Sequence, residues 1–253
     1  MTQVYIVGAG PGDAELITVK GLKAIQTADV ILYDRLVNPA LLEEAPPHAQ
    51  LIYAGKQPNR HAMPQEEINA QLCAHARRGK VVTRLKGGDP FIFGRGGEEA
   101  AALASANISF EIVPGITSGA AVPAYAGIPV THRDYSSSVT FVAGVSKTND
   151  ESYWQHIIGS MDTLCIYMGI QKLEDICDRL LRHGRTPETP VAVIEWGTTG
   201  EQRTITGTVT DIAVKAADAA QPGMIVVGEV VKLREELQWF TEHQAETVEA
   251  AAH

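Results

Sequence analysis

Cysteine is scarce in this chain, and what there is forms no chemical arrangement. Cys73, Cys165 and Cys177 are an odd number spread over 253 residues, without CxxC or Cys/His ligand spacing. That supports neither a disulfide framework nor a zinc site. No apolar run approaches the ~20 residues that span a bilayer, and the opening MTQVYIVGAG enters a strand pattern with no basic leader or cleavage pattern. A cytoplasmic protein with no membrane partner is expected. A basic excess is missing too: the net charge is −9, which argues against nucleic acid as a partner. There is no GxSxG, HExxH or GKS/GKT motif, and the eight histidines are scattered. Serine-hydrolase, zinc-protease and nucleotide-kinase readings thereby lose their strongest sequence support. The chain also lacks repeats of solenoid period and low-complexity segments. What remains is chemistry needing neither metal nor covalent nucleophile, and group transfer between two bound small molecules fits, because it can rest on proximity and alignment.

Glycine is plentiful where it matters. Lys86 to Glu99, KGGDPFIFGRGGEE, holds five glycines and a proline in fourteen residues. Such a stretch is a shaped loop, since glycine loses the most backbone freedom on ordering and proline gives up a donor. It follows the apolar, β-branched run Lys80 to Leu85 and leads into the alanine-rich Glu98 to Ala106, whose first carboxylates suit a helix start. A glycine loop at a strand's carboxyl end is where open α/β sheets bind ligands, and this one carries Asp89, Arg95 and Glu98. An ordinary tight connection would need only one Gly-Asp.

Other strands end the same way. Val4 to Val7 runs into Gly8-Ala9-Gly10-Pro11-Gly12-Asp13, with a helix capped by Thr18 following. A dinucleotide fingerprint needs a third glycine at the sixth loop position; here that position is Asp13, and Pro11 removes an amide, so the loop reads as a binding wall. Val30 to Tyr33 ends in Asp34-Arg35, and Gln50 to Ala54 ends in Gly55-Lys56 ahead of a polar loop to Met63. Pro64 to Arg78 reads as a helix closed by Gly79. Ser109 to Val113 ends in Pro114-Gly115-Ile116-Thr117-Ser118, after which another helix begins. This alternation predicts a mainly parallel sheet with its loops gathered at one edge. Pro123, Pro129 and the polar run 131–138 interrupt it, placing a domain boundary near residue 134.

In the second half, Val139 to Val142, Thr163 to Met168, Pro190 to Trp196, Gln202 to Thr206 and Met224 to Val231 read as strands. The short turn 197–200 makes the third and fourth antiparallel. Helices are expected near 152–159, over Gln171 to Arg182 and over Val209 to Ala217, with a frayed tail at 241–253. Residues 1–140 hold 12 Lys/Arg against 13 Asp/Glu, so the acidity sits in the remainder, 9 against 17. Arg35, Lys56, Arg60, Arg84, Lys86, Arg95 and Arg133 fall at or near predicted loops following strands. That distribution suits either a cleft for a small polyanion or a solvated basic surface.

Five motifs in order, 7–13, Tyr33-Asp34-Arg35-Leu36-Val37, Lys86 to Glu99, Pro114 to Ser118, and Gly127-Ile128-Pro129-Val130-Thr131-His132-Arg133, resemble the tetrapyrrole methyltransferases, in particular those acting on uroporphyrinogen III. The resemblance spans about residues 1–240. It implies two αβα domains, 1–134 and 135–240, with a mainly parallel sheet in the first, a mixed sheet in the second and the active-site cleft between them, in a homodimer. S-adenosyl-L-methionine would methylate two carbons of uroporphyrinogen III, giving precorrin-2. Matching positions imply a donor site of Pro11, Gly87, Gly88, Asp89, Ile92, Thr117, Ser118 and Met168, with Trp196 and Met224 near it. Arg95, Glu98 and Arg133 match positions facing the tetrapyrrole. Arginine suits an acceptor with eight carboxylates. A methyltransferase for a later corrin precursor, and more remotely a nicotinamide-dependent oxidoreductase or a non-catalytic tetrapyrrole carrier, are the alternatives.

Overall fold

The computed structural model describes residues 4–55, 63–144 and 150–242. The chain forms two compact units, Met1–Ser118 and Gly119–His253. In the first, β1 (Val4–Gly8), β2 (Val30–Tyr33), β3 (Gln50–Tyr53), β4 (Val82–Lys86) and β5 (Phe110–Val113) form one sheet in the order β3-β2-β4-β1-β5. Every pairing in it is parallel. Successive residues feed opposite faces, as the period of two requires. Ile6, Leu32 and Val82 meet Ile68, Leu72 and Ala76 of α3 (Gln65–Arg77) and Leu103 of α4 (Gly96–Ser105). Val7, Ile31 and Leu85 face Ala24 and Ile25 of α1 (Val19–Gln26) and Leu41 of α2 (Ala40–Glu43). Covered on both faces, the central strands are near-continuous apolar runs, which is why they stand out in the sequence.

The second unit has the order β6-β7-β10-β8-β9: β6 (Val139–Ala143), β7 (Thr163–Tyr167), β8 (Pro190–Glu195), β9 (Arg203–Thr208) and β10 (Gly223–Val227). Only β6 and β7 pair in parallel; β7-β10, β10-β8 and the expected β8-β9 hairpin are antiparallel. One face packs on α6 (Glu151–Ser160), α7 (Leu173–Arg182) and α8 (Ile212–Lys215) through Trp154, Ile158, Ile176, Leu180 and Ile212. The other packs on α5 (Ser118–Tyr125) and the segment after it, through Val122, Ala126 and Ile128. By compactness the units therefore divide at Ser118/Gly119, ahead of the proline and polar run at which the sequence pattern breaks.

Three elements differ from the sequence reading. Pro123 lies inside α5 rather than ending it. The strand expected over 224–231 stops at Val227, because Gly228 takes φ 141° and a 3-10 turn, Glu229–Leu233, follows. The helix expected from 209 to 217 is only the single turn of α8, since Asp211 Oδ1 accepts the Thr208 N–H at 2.7 Å and the chain turns there first. The short α9 (Arg234–Leu237) closes the described chain. Lys56, Arg60, most of the 57–63 loop and residues 243–253 of the expected frayed tail lie outside the described residues. Glu242, at the edge of that tail, is hydrogen-bonded to Gln202 and Thr204.

Candidate active site

Three strand-end loops of the first sheet touch through glycine. Ala9 N–H donates to the Lys86 carbonyl at 2.7 Å, and Gly10 and Gly88 exchange backbone hydrogen bonds of 3.2 and 2.6 Å. A Cβ on Gly8 would lie 2.6 Å from both Gly115 Cα and the Gly88 carbonyl oxygen. Gly8, Gly88 and Gly115 therefore meet where no side chain fits, and Gly10 (φ 81°) and Gly88 (φ 66°) take backbone conformations L residues avoid. Asp13, in place of the fingerprint's glycine, accepts the Glu15 N–H at 2.9 Å and caps the 3-10 turn Ala14–Leu16. Asp13 shapes the loop, and no phosphate cradle forms.

Asp89 is a staple. One carboxylate oxygen accepts the N–H groups of Phe91 (2.8 Å) and Ile92 (3.2 Å), and the other accepts that of Gly115 (3.0 Å). It thus fixes both its own loop and the loop leading to Thr117 and Ser118. The chain then curls back on Pro90, whose carbonyl accepts the Gly96 N–H at 2.9 Å. A Cβ on Gly94 or Gly96 would sit 2.6 Å from that oxygen. The curl forces Phe93 (φ 53°) and Arg95 (φ 58°) into the left-handed region, a strain non-glycine residues bear chiefly at functional sites. Phe91, Ile92 and Phe93 form an apolar tip exposed to solvent.

Arg95 precedes α4, and one turn on, Glu98 receives it in a two-point pair, Nε to Oε1 at 2.8 Å and Nη2 to Oε2 at 2.7 Å. The hydrogen bond to Arg95 lowers the Glu98 pKa below the ordinary carboxylate range, and the same bond raises that of Arg95. Glu98 is therefore an anion and Arg95 a cation near neutrality, a geometry for orienting carboxylates rather than moving protons.

Beneath this loop is a charge cluster that the sequence reading missed. Glu99 is fully buried and its Oε1 accepts from Arg84 Nε (2.9 Å), Lys86 Nζ (3.0 Å) and Gln65 Nε2 (3.2 Å). Arg84 also reaches Asp34 Oδ1 at 2.6 Å, and Lys86 lies 3.6 Å from Asp34 Oδ2. The available signal was Arg84 and Lys86 two apart in a buried parallel strand: they share one face, and charges there demand partners.

Pro11, Gly87 to Asp89, Ile92 and Thr117 sit on these loops, and Ser118 begins α5 where the last of them ends. Ser118 N is 3.9 Å from where a Gly88 Cβ would stand, and among the described residues nothing else beyond its chain neighbours lies within 4 Å of that point. In the second unit, Met168 follows β7 and Trp196 follows β8, both left-handed (φ 56° and 47°). Met224 pairs with Tyr167 and Ile194, so the antiparallel β10 begins where the other two strands end. The structure thus gathers these three residues at one end of the second sheet. The Met224 side chain is buried in the core, leaving its backbone to line that end. Arg133 lies on a turn in which His132 and Ser136 exchange backbone bonds of 2.9 Å, with Ser136 Oγ 2.7 Å from Thr163 Oγ1. That turn leads into β6, so Arg133 sits ahead of the second sheet rather than on the strand ends that carry Met168 and Trp196.

The class is that of α/β proteins with glycine loops at strand carboxyl ends, the place where open sheets bind small ligands. A family profile described as Tetrapyrrole (Corrin/Porphyrin) Methylases matches residues 3–213, and the chain belongs to that family. It is 60% identical over 235 residues to the uroporphyrinogen-III C-methyltransferase of Priestia megaterium, covering 91% of this chain and 99% of that one. It is 51% identical over 247 residues to a siroheme synthase of Pseudomonas fluorescens, covering 96% of this chain but only 53% of that protein. The uroporphyrin-III C-methyl transferase of Thermus thermophilus, solved with S-adenyl homocysteine, superposes with a TM-score of 0.77 at 36% identity, over 91% of this chain and 94% of that one.

Proposed function

We propose that this chain is a C-methyltransferase that moves methyl groups from S-adenosyl-L-methionine to two carbons of uroporphyrinogen III, giving precorrin-2. The observation that carries the reading is the 60% identity with an enzyme of that name along 99% of its length. The residues present fit the donor: it has no phosphate and needs no cradle for one, the space beside Gly88 is open, and the Gly88 backbone is held by its paired bonds with Gly10. The donor's sulfonium supplies the electrophilic methyl group. The chain's own part is alignment: Asp89 holds the loop that carries Ile92 against the loop that carries Thr117 and Ser118. Arg95, oriented by Glu98, and Arg133 are read as anchors for acceptor carboxylates, with no proton transfer asked of either. A homodimer in the cytoplasm is part of the same reading; it is supported by the family resemblance and is checked by light scattering.

The test is anaerobic incubation with uroporphyrinogen III and methyl-labelled S-adenosyl-L-methionine, following mass and label in the tetrapyrrole. Two methyl groups gained is the expected result. No transfer with intact donor binding would move the acceptor to a later corrin precursor, and binding of a nicotinamide dinucleotide instead would overturn the class.

A further inference from the structure

Among the described residues of the second unit, three that are not glycine have left-handed backbones: Met168, Trp196 and Thr198 (φ 69°). The first two are expected at the donor; the third is two residues beyond Trp196. A β-branched residue is among the least suited to that conformation, and strain of this kind persists only where the surroundings over-determine it. The surroundings here are specific. Thr198 N–H donates to Gln202 Oε1 at 2.7 Å, and both residues are buried. Gln202 Nε2 donates to Glu242 Oε1 at 2.8 Å. Glu242 is held in turn by Thr204, whose Oγ1 and N–H donate at 2.6 and 3.1 Å, and by Arg234 Nη2 at 2.9 Å. The other arm of Arg234 donates to the Ala126 carbonyl at 2.5 Å. The amide of Gln202 has one workable orientation, because Thr198 offers a hydrogen and Glu242 only lone pairs.

We propose that Gln202, locked by Glu242 from the C-terminal segment, is a positioning residue for methyl-donor binding: it holds the Trp196–Thr198 turn in the strained shape the donor needs. The inference rests on the methyltransferase reading. At its start the turn is anchored beside β10, where Trp196 N–H donates to the Pro222 carbonyl at 3.0 Å. Thr199 N–H and Oγ1 return to the Trp196 carbonyl at 3.1 and 2.6 Å, closing the loop on itself, and the space beside Gly197 is filled by the Val122 side chain. The peptide between Gly197 and Thr198 is oriented through its N–H, which is the group that Gln202 takes. Without that acceptor, the buried N–H loses the bond that fixes its direction and the turn relaxes.

The pair also supplies its own control. Gln202→Glu sets two carboxylates against each other while keeping an acceptor for Thr198. Adding Glu242→Gln exchanges donor and acceptor: the amide hydrogens introduced at position 242 would serve residue 202 and Thr204 Oγ1, and the amide oxygen would still accept from Thr204 N–H and Arg234. The experiment is calorimetric titration of the full chain and its variants with S-adenosyl-L-homocysteine, with steady-state kinetics for both substrates. Gln202→Ala and Gln202→Glu are expected to raise the donor-product Kd and the donor KM about tenfold, the effect of one buried hydrogen bond at about 1.4 kcal/mol per decade. At saturating donor, kcat and the tetrapyrrole KM stay within about twofold. The double variant returns the Kd to within about threefold of the parent, which separates positioning from general loss of fold. Unchanged Kd in both single variants, or a double variant no tighter than Gln202→Glu, would overturn the proposal. A parent protein that does not bind S-adenosyl-L-homocysteine at all would overturn the donor reading itself, and this inference with it.

Discussion

Glu99→Ala is the substitution on which the physical account of the first unit can be tried most severely. Glu99 is fully buried, and the two cations on its Oε1, Arg84 and Lys86, are almost as inaccessible. With an effective dielectric of ~20, each contact near 3 Å corresponds to about 5–6 kcal/mol of attraction. Most of that is offset by the several kcal/mol needed to take each ion out of water. Removing the carboxylate keeps the desolvation of the cations and loses the attraction. Asp34 compensates in part, at 2.6 Å from Arg84 but 3.6 Å from Lys86, and Arg84 keeps long bonds to the Leu32 and Leu85 carbonyls. The expected destabilisation is about 3–5 kcal/mol, the usual range for breaking a buried pair from one side.

Urea unfolding followed by circular dichroism measures this as a lower midpoint at unchanged slope. Asp175→Ala is the reference, since its pair with Lys172 is exposed on both sides and should cost under about 1 kcal/mol. The contrast between the two decides the matter. A Glu99→Ala loss below about 1 kcal/mol would refute the idea that the cluster is closed to solvent. A loss of the expected size in Glu99→Ala that vanishes when Arg84 and Lys86 are also made Met would support it, because replacing a whole buried charge group by apolar residues is often neutral.

Three further outcomes rest on named contacts. Arg95→Ala should lower turnover by at least about a hundredfold while the Kd for S-adenosyl-L-homocysteine stays within about twofold, since Arg95 pairs with Glu98 on the loop's exposed side; an equal loss of donor affinity would remove it from the acceptor site. Asp89→Ala should weaken that Kd by about tenfold or more, because three backbone N–H groups lose their acceptor at once; unchanged affinity would separate the loop from the donor. Asp162 is held below its ordinary value of 3.8, first by the Ser137 hydroxyl and then by the Ser137 and Ser138 backbone and the Ser138 hydroxyl. A depressed folded value contributes stability that is present above about pH 3.8 and lost as pH falls through the folded value. The stability gap between the parent and Asp162→Asn should therefore be constant from about pH 5 to 7 and close below about pH 4; a gap independent of pH down to about 2.5 would refute the assignment.

Most of the fold could be read from the chain because its sheets are covered on both sides. Burial on two faces makes runs such as Val30 to Tyr33 and Val191 to Ile194 continuously apolar, and the glycine loops punctuate them. The glycines were legible as a group, but what each one does was not. Gly8, Gly88 and Gly115 are far apart in sequence and are required by one another, so their reason exists only once β1, β4 and β5 lie side by side. The same holds for Met168, Trp196 and Thr198: no local rule places Met, Trp or Thr in the left-handed region, and tertiary contacts impose it. The α8 and β10 ends were misjudged where a single side chain, Asp211, or a single glycine, Gly228, overrode a longer apolar pattern.

The adjacent carboxylates Glu98 and Glu99 show what sequence withholds even inside a correctly read motif. Both fit the first turn of α4, and propensity, charge and dipole treat them alike. A helix turns about 100° per residue, so once α4 is laid on the sheet the two must point in different directions. Arg95 and Glu98 are three apart and share one side, where both stay in solvent and are available to a ligand. Glu99 is carried inward to β4, where Arg84 and Lys86 converge on it. The inward carboxylate ties the end of β4 to the start of α4, the two anchor points of the loop that the outward pair serves. Had the helix begun one residue later, Glu99 would take the outward place and Ala100 the inward one, leaving Arg84 and Lys86 without that carboxylate. The register of α4 is set by the Gly96 N–H bond to Pro90 and by the left-handed turn at Arg95. The strained residue ahead of α4 and the buried ion cluster beneath it are therefore two consequences of one choice of helix start.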